Sequence, residues 1–265
     1  MYAVVAGPRV WTSNTLRSAR EFKSFQDSLV MNISSTAAAA LLAAPALFAT
    51  SASASFTGWT AAMSSDANYI YMDVFAGFNS AADHVLNVFD MNIAAQGTNF
   101  YQAPGMATSR WSPGAYTSSE TSADSFVTLG DTVYEGVRYA GTTTAADPSF
   151  TNYNTFNATS IPTNAGWYST APLGPEGDAV ALSAIQGKQW FGEDSLFVVR
   201  VAHFVFTVSS VQPGSTVSFA GSTGYRTGSS TDASFGTDTT IFQVPAPGAL
   251  ALLGVAGIIG SRKRR

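Results

Sequence analysis

Between Ser55 and Val244 the apolar residues come in short runs of aromatic and β-branched side chains, broken by clusters of Gly, Pro, Ser and Asn. No apolar stripe of helical period persists there beyond about two turns, so strands are predicted throughout. Asn68–Ala76 (NYIYMDVFA) reads as one strand and His84–Ile93 as the next, and the turn-rich stretch 77–83 between them suggests an antiparallel hairpin. Alternation along the second strand puts Val85, Phe89, Met91 and Ile93 on one face, with Asn87 between them, and His84, Asp90 and Asn92 on the other. Further strands are predicted over Ser125–Leu129, Gly166–Ser169, Ala179–Ile185, Leu196–Val208, Thr216–Ala220 and Thr239–Val244. Leu196–Val208 (LFVVRVAHFVFTV) is apolar on both faces, as a central strand covered from both sides requires.

Short strands, frequent turn signals and long polar loops predict an all-β chain. The expected architecture is a two-sheet antiparallel β-sandwich, jelly-roll or immunoglobulin-like, over residues 55–243. Two small sandwiches divided within 142–162 are the alternative, and both halves would then be thin. The segments outside the body follow other rules. Ala37–Ala49 (AAAALLAAPALFA) is too short an apolar run to span a bilayer of about 30 Å but suits the core of a signal helix. Ala52-Ser53-Ala54 follows with the small-residue spacing that signal peptidase requires, which puts cleavage before Ser55. A start at Met31 makes 31–54 a signal peptide of ordinary length and 1–30 a mis-called extension; a start at Met1 gives an unusually long basic leader.

At the other end, Val244-Pro245-Ala246-Pro247 leads into the apolar run Gly248–Gly260 and then Ser261-Arg262-Lys263-Arg264-Arg265. The prolines interrupt regular structure, the run has no polar face and so predicts a transmembrane helix, and the cluster Arg262, Lys263, Arg264 and Arg265 would stay on the cytoplasmic side. At about 1.5 Å per residue the helix reaches roughly 20 Å, short of a full bilayer core. This three-part tail resembles the PEP-CTERM sorting signal of bacterial exported proteins, over Val244–Arg265 alone. One position departs: Ala246 stands where the family usually has Glu. The resemblance implies recognition by exosortase, a membrane-embedded protease thought to cut near the proline motif. The protein would pass through the inner membrane, held there transiently, to the cell surface or extracellular polysaccharide matrix.

Composition sharpens this picture. The 265 residues include no Cys, which excludes disulfides, thiol nucleophiles and Cys-based metal sites. Charged residues make up 11%, against about 25% in ordinary soluble domains, and Ser, Thr and Gly take their place. The net charge of −4 conceals a division. Residues 55–243 hold 15 acidic and 5 basic side chains, a body of net charge −10 between two basic ends. No clustered basic face remains for a nucleic-acid partner.

Candidate chemistry is sparse. His203, mid-strand among Val and Phe, reads as a hydrogen-bonded core histidine, and His84, beside Asp83, as an exposed turn residue. No G-x-S-x-G elbow, H-E-x-x-H helix or phosphate loop is present, so no enzyme class has motif support and no catalytic residue is assigned. Glu193-Asp194 reads as a loop cap. Cofactors are not expected; the weak option is Ca²⁺, for which Asp66/Asn68, Asp147 and Glu176/Asp178 sit in suitable loops without a D-x-D-x-D-G pattern. Loop aromatics, Trp111 and Trp167 foremost, offer flat rings that could stack on sugars. Thr142-Thr143-Thr144 and Thr237-Asp238-Thr239 are too isolated for a regular threonine array. The expected function is therefore that of a non-enzymatic exported protein, structural or adhesive in the exopolysaccharide layer. The alternatives are a carbohydrate-binding module and a secreted hydrolase with dispersed carboxylates. The expected partners are signal peptidase, an exosortase-like protease, the membrane and polysaccharide.

Overall fold

The computed structural model describes residues 56–104, 111, 119, 121–147, 150, 157–185, 188–192 and 195–246. The signal segment with Ala52, Ala54 and Ser55, and the tail from Pro247 through Arg262–Arg265, lie outside the described residues.

The described chain is all-β. One sheet takes β1 (Phe56–Ser65), β2 (Tyr69–Phe78), β4 (Phe126–Val127), β9 (Val180–Ala181), β10 (Gln189–Gly192) and β11 (Phe197–Thr207), in the order β10-β1-β2-β11-β4 with β9 also on β11. The second takes β3 (Asp83–Gln96), β7 (Thr144–Ala146), β8 (Ala165–Ser169), β12 (Thr216–Thr227) and β13 (Ser234–Gln243), in the order β13-β12-β3-β8-β7. A hairpin, β5 (Asp131–Tyr134) with β6 (Val137–Ala140), stands apart. Every pairing is antiparallel.

Both sheets contribute to one main core, with Met72 and Phe204 from the first meeting Ile93 and Phe219 from the second. Burying each such side chain is worth about 1.5–3 kcal/mol, so this shared layer is the main stabilising term. Because β7 and β8 lie in the same sheet, the stretch 142–162 does not separate two sandwiches.

Two expectations about β2 and β3 fail for identifiable reasons. They do not form a hairpin: β2 lies between β1 and β11, β3 between β12 and β8, and the turn at 79–82 carries the chain from one sheet to the other. The alternation along β3 is also broken. Asp90 adopts φ 53°, in the left-handed region, and the register slips there against both neighbours, between Val88 and Met91 on the β8 side and between Ala220 and Ser222 on the β12 side. A second slip against β12 lies between Val85 and Asn87, and each slip shifts side-chain parity. Val85, Val88, Met91 and Ile93 therefore face the core, and Phe89 is turned to the outer face. A strand that the apolar pattern does not predict, β1, is rich in Gly, Ala, Ser and Thr and owes its form to the strands on either side.

Candidate functional site

The densest chemistry lies on the outer side of the first sheet. Along β2, Ile70, Met72, Val74 and Ala76 point into the main core, which leaves Tyr71, Asp73 and Phe75 on the opposite face. On β11 a bulge between Arg200 and Ala202 places Val201 and Ala202 in the core, with Arg200 and His203 on the outer face. His203 is the direct cross-strand partner of Asp73. Phe126 of β4 stacks on the His203 ring at 4.9 Å, Tyr71 lies 6.0 Å from the same ring, and Lys188 enters just ahead of β10.

These side chains form an ion network closed to water. Asp73, Arg200 and His203 are each at most 2% exposed. One carboxylate oxygen of Asp73 meets His203 Nδ1 at 2.6 Å and Arg200 at 3.2 Å, and the other accepts from Lys188. Arg200 reaches Asp131 through Nε at 2.5 Å, and Arg138 pairs with Asp131 in turn. His203 Nε2 faces the Ser122 carbonyl oxygen at 3.1 Å. Both ring nitrogens thus face oxygen atoms. Burial alone would raise the Asp73 carboxyl, but Lys188, His203 and Arg200 hold it well below the usual carboxylate range. Asp124, on the covering loop, goes the other way: burial pushes it up to about 6, against the Ala103 N–H and the nearby His203.

The arrangement ties loops to the sheet. In an acyl-transfer relay the outer histidine nitrogen would face a nucleophile; here it faces a main-chain carbonyl, while the Ser122 hydroxyl accepts from the Ser119 N–H at 2.7 Å. The two innermost carboxylates, Asp73 and Asp131, share the Arg200 guanidinium, so each is neutralised in place. A glycosidase needs one carboxylate protonated and both open to a substrate. Among the described residues no three His or carboxylate side chains are grouped to hold a metal ion.

A second polar clamp ties the covering segments together. Glu176, in a 3-10 turn at Pro175–Gly177, accepts from Thr132, from both the N–H and hydroxyl of Thr142, and from both of Thr143, at 2.6–3.0 Å. Burial opposes ionisation, but these donors outweigh it and push the carboxyl down to about 2. Gly130 (φ 68°) fits beneath the turn because a Cβ there would lie 1.4 Å from the Glu176 carbonyl oxygen.

The residues singled out from sequence are placed as follows. Trp111 and Trp167 are corrected: both are fully buried, Trp111 edge-on to Phe100 at 5.3 Å and Trp167 donating to the Thr128 carbonyl at 2.9 Å, so neither offers a ring face to a sugar. His84 is also corrected. It is buried at 1% exposure, with Nδ1 on Asp178 at 2.7 Å. His203 is the hydrogen-bonded core histidine that its neighbours suggested. Of the calcium candidates, Asp66 is occupied by the N–H groups of Asn68 and Tyr69 and the Tyr71 hydroxyl, Glu176 by its threonines and Asp178 by His84; Asp147 follows β7. Glu193-Asp194 lies outside the described residues. Val244 is buried and donates its N–H to the Ser215 carbonyl at 2.8 Å, Pro245 is half-buried and Ala246 exposed, so the proline motif starts directly at the end of β13.

Sequence reasoning missed Asp73, Arg200, Lys188 and Asp131. A signal was present for two of them: one charge inside YIYMDVFA and one inside LFVVRVAHFVF, each within a run too apolar to leave it in water. Compared with protein-family models, with curated proteins and with solved structures, the chain matches none.

Proposed function

We propose that this is a non-enzymatic exported protein: a β-sandwich body carried across the inner membrane, held there transiently by the tail helix, then processed by an exosortase-like protease and passed to the cell surface or exopolysaccharide matrix. The observation that carries the reading is the tail itself. Val244-Pro245-Ala246-Pro247, the apolar run 248–260 and the basic cluster Arg262–Arg265 follow one another in that order, beginning where β13 ends. The signal-like segment 31–54 supplies the route out, and the acidic, Cys-free body suits an extracellular setting. The buried ion network supports a structural role for the body, because its carboxylates are neutralised and withdrawn from solvent.

The test is removal of Pro247–Arg265, which spares Val244 and its bond to Ser215. Full-length protein is expected in the surface or matrix fraction, and the truncated protein in the fluid surrounding the body, unprocessed. Unchanged surface association of the truncated protein would reject the sorting role.

A further inference from the structure

Among the described residues, the outer face of the second sheet has no covering layer comparable to the first. Its side chains follow from register. In one row, Tyr168 of β8 pairs with Asn87 of β3, Asn87 with Gly224 of β12, and Gly224 with Phe235 of β13. With strands about 4.8 Å apart, the row spans about 14 Å between its outermost Cα atoms. Phe235 is 67% exposed and Tyr168 40%. The Phe235 ring lies over Gly224, where a Cβ would come 3.4 Å from its Cε1 and 2.3 Å from the Asn87 amide oxygen that accepts the Gly224 N–H, so the open floor towards Tyr168 is at Asn87. Phe89, turned outward between the two slips in β3, packs edge-on against Phe235 at 6.0 Å and makes that wall two rings thick. The next rows carry short polar side chains, with Thr237 and Thr239 exposed and Ser222 hydrogen-bonded to Thr237 at 2.8 Å.

We propose that this trough binds a neutral polysaccharide. The inference deepens the matrix-protein reading and rests on it for the setting in which such a polymer is met. Aromatic walls fit the C–H faces of sugar rings, and the amide and hydroxyl groups on the floor fit their hydroxyls. Charge selects the polymer class. Asp238 in the β12–β13 rows turns inward to accept from the Trp59 N–H, while Asp90 stands exposed at the bulge and Asp147 sits against Gly166. Arg226, two residues along β12 from Gly224 and paired with His84, is turned aside to donate to the Pro172 carbonyl at 3.4 Å. In a body of net charge −10 such a face repels an anionic chain and accepts an uncharged one. A second copy of this chain fits less well, since burying the hydroxyls and amides without matched partners costs more than the few exposed apolar groups return.

Affinity electrophoresis of the purified full-length protein in detergent, in gels containing dextran, glucomannan or alginate, tests this. Retardation is expected in at least one neutral gel and not in alginate. The double variant Phe235→Ala/Tyr168→Ala should bind about tenfold more weakly or worse, with an unchanged thermal midpoint, while Leu196→Ala, an exposed residue ahead of β11, binds as wild type. No retardation in either neutral gel, equal retardation of the double variant, or stronger binding to alginate would each overturn the proposal. So would self-association in sedimentation that Ile241→Asp abolishes, which would give the face to a second copy. Binding by purified protein involves no sorting step, so its failure is separable from failure of the tail deletion.

Discussion

The two outer faces of this sandwich began from similar strands and diverged in what covers them. On the first sheet, charged residues face outward at Asp73, Arg200 and His203, and Ser122, Asp131 and Lys188 on the covering segments pair with them. On the second sheet the central rows carry Asn, Ser, Thr, Gly and aromatic residues, and Phe235 and Ile241 stay more than 60% exposed. A buried charge demands partners, and those partners arrive on loops, so polarity on the first face draws in a cover. Uncharged hydrogen-bonding groups make no such demand and can remain in water. The more polar strand face has therefore become the buried one.

Removing a partner from the covered face should have the largest effect. Asp73→Asn leaves Lys188, Arg200 and His203 packed around a neutral amide and is expected to cost about 3–5 kcal/mol, read by urea unfolding at pH 7. The wild-type protein carries a matching acid limb. The Asp73 carboxyl is depressed in the folded state, so its contribution is complete above the ordinary carboxylate range near pH 4 and is lost as pH falls below it. In the variant that limb should be shallower. A loss under about 1 kcal/mol would mean that the cover is held by its apolar contacts rather than its charges.

A smaller effect of opposite sign is expected at Asp124. Its carboxyl is raised to about 6 when folded, against an ordinary value near 4, so the folded state holds a proton that the unfolded state releases in that interval. Stability from this group falls as pH rises from about 4 to 6 and stays lower above that. Asp124→Asn keeps an acceptor for the Ala103 N–H and should stabilise the protein by about 1 kcal/mol at pH 7 while leaving it unchanged at pH 4. Equal thermal midpoints of variant and wild type at pH 7 would show that His203 offsets the cost of burial in full.

Much of this fold was legible in the apolar pattern, and the failures have local causes. The strand Leu196–Val208 declared itself by being apolar on both faces, and β11 occupies that stretch between β2 and β4. The two slips in β3, at Asp90 and between Val85 and Asn87, were not legible, because each inverts the parity of the residues around it without changing composition, and Phe89 was assigned to the wrong face as a result. The site was hidden for a related reason. Asp73 and His203 are far apart in the chain and meet only through the β2–β11 register, whereas Trp111 and Trp167 attracted attention by residue type alone and proved to be core. The trough on the second sheet combines both difficulties, since it needs the two slips and the pairing of four strands before Phe89, Phe235 and Tyr168 share a face.

The smallest expected effect sharpens the comparison from the bare side. Ile241 is 64% exposed on β13, and Ile241→Thr keeps a β-branched side chain, so strand preference is preserved and little buried area is lost. The change in stability should fall within about 0.5 kcal/mol in urea unfolding. If the face is bare in the folded protein, the added hydroxyl meets water and the cost is only the modest apolar contact given up. A loss above about 2 kcal/mol would instead place Ile241 against another surface, and the hydroxyl would then be buried without a partner. That result would make the second face a covered one as well, and the contrast would lie in how the cover is held: by ion pairs over Asp73 and by apolar contact over Ile241.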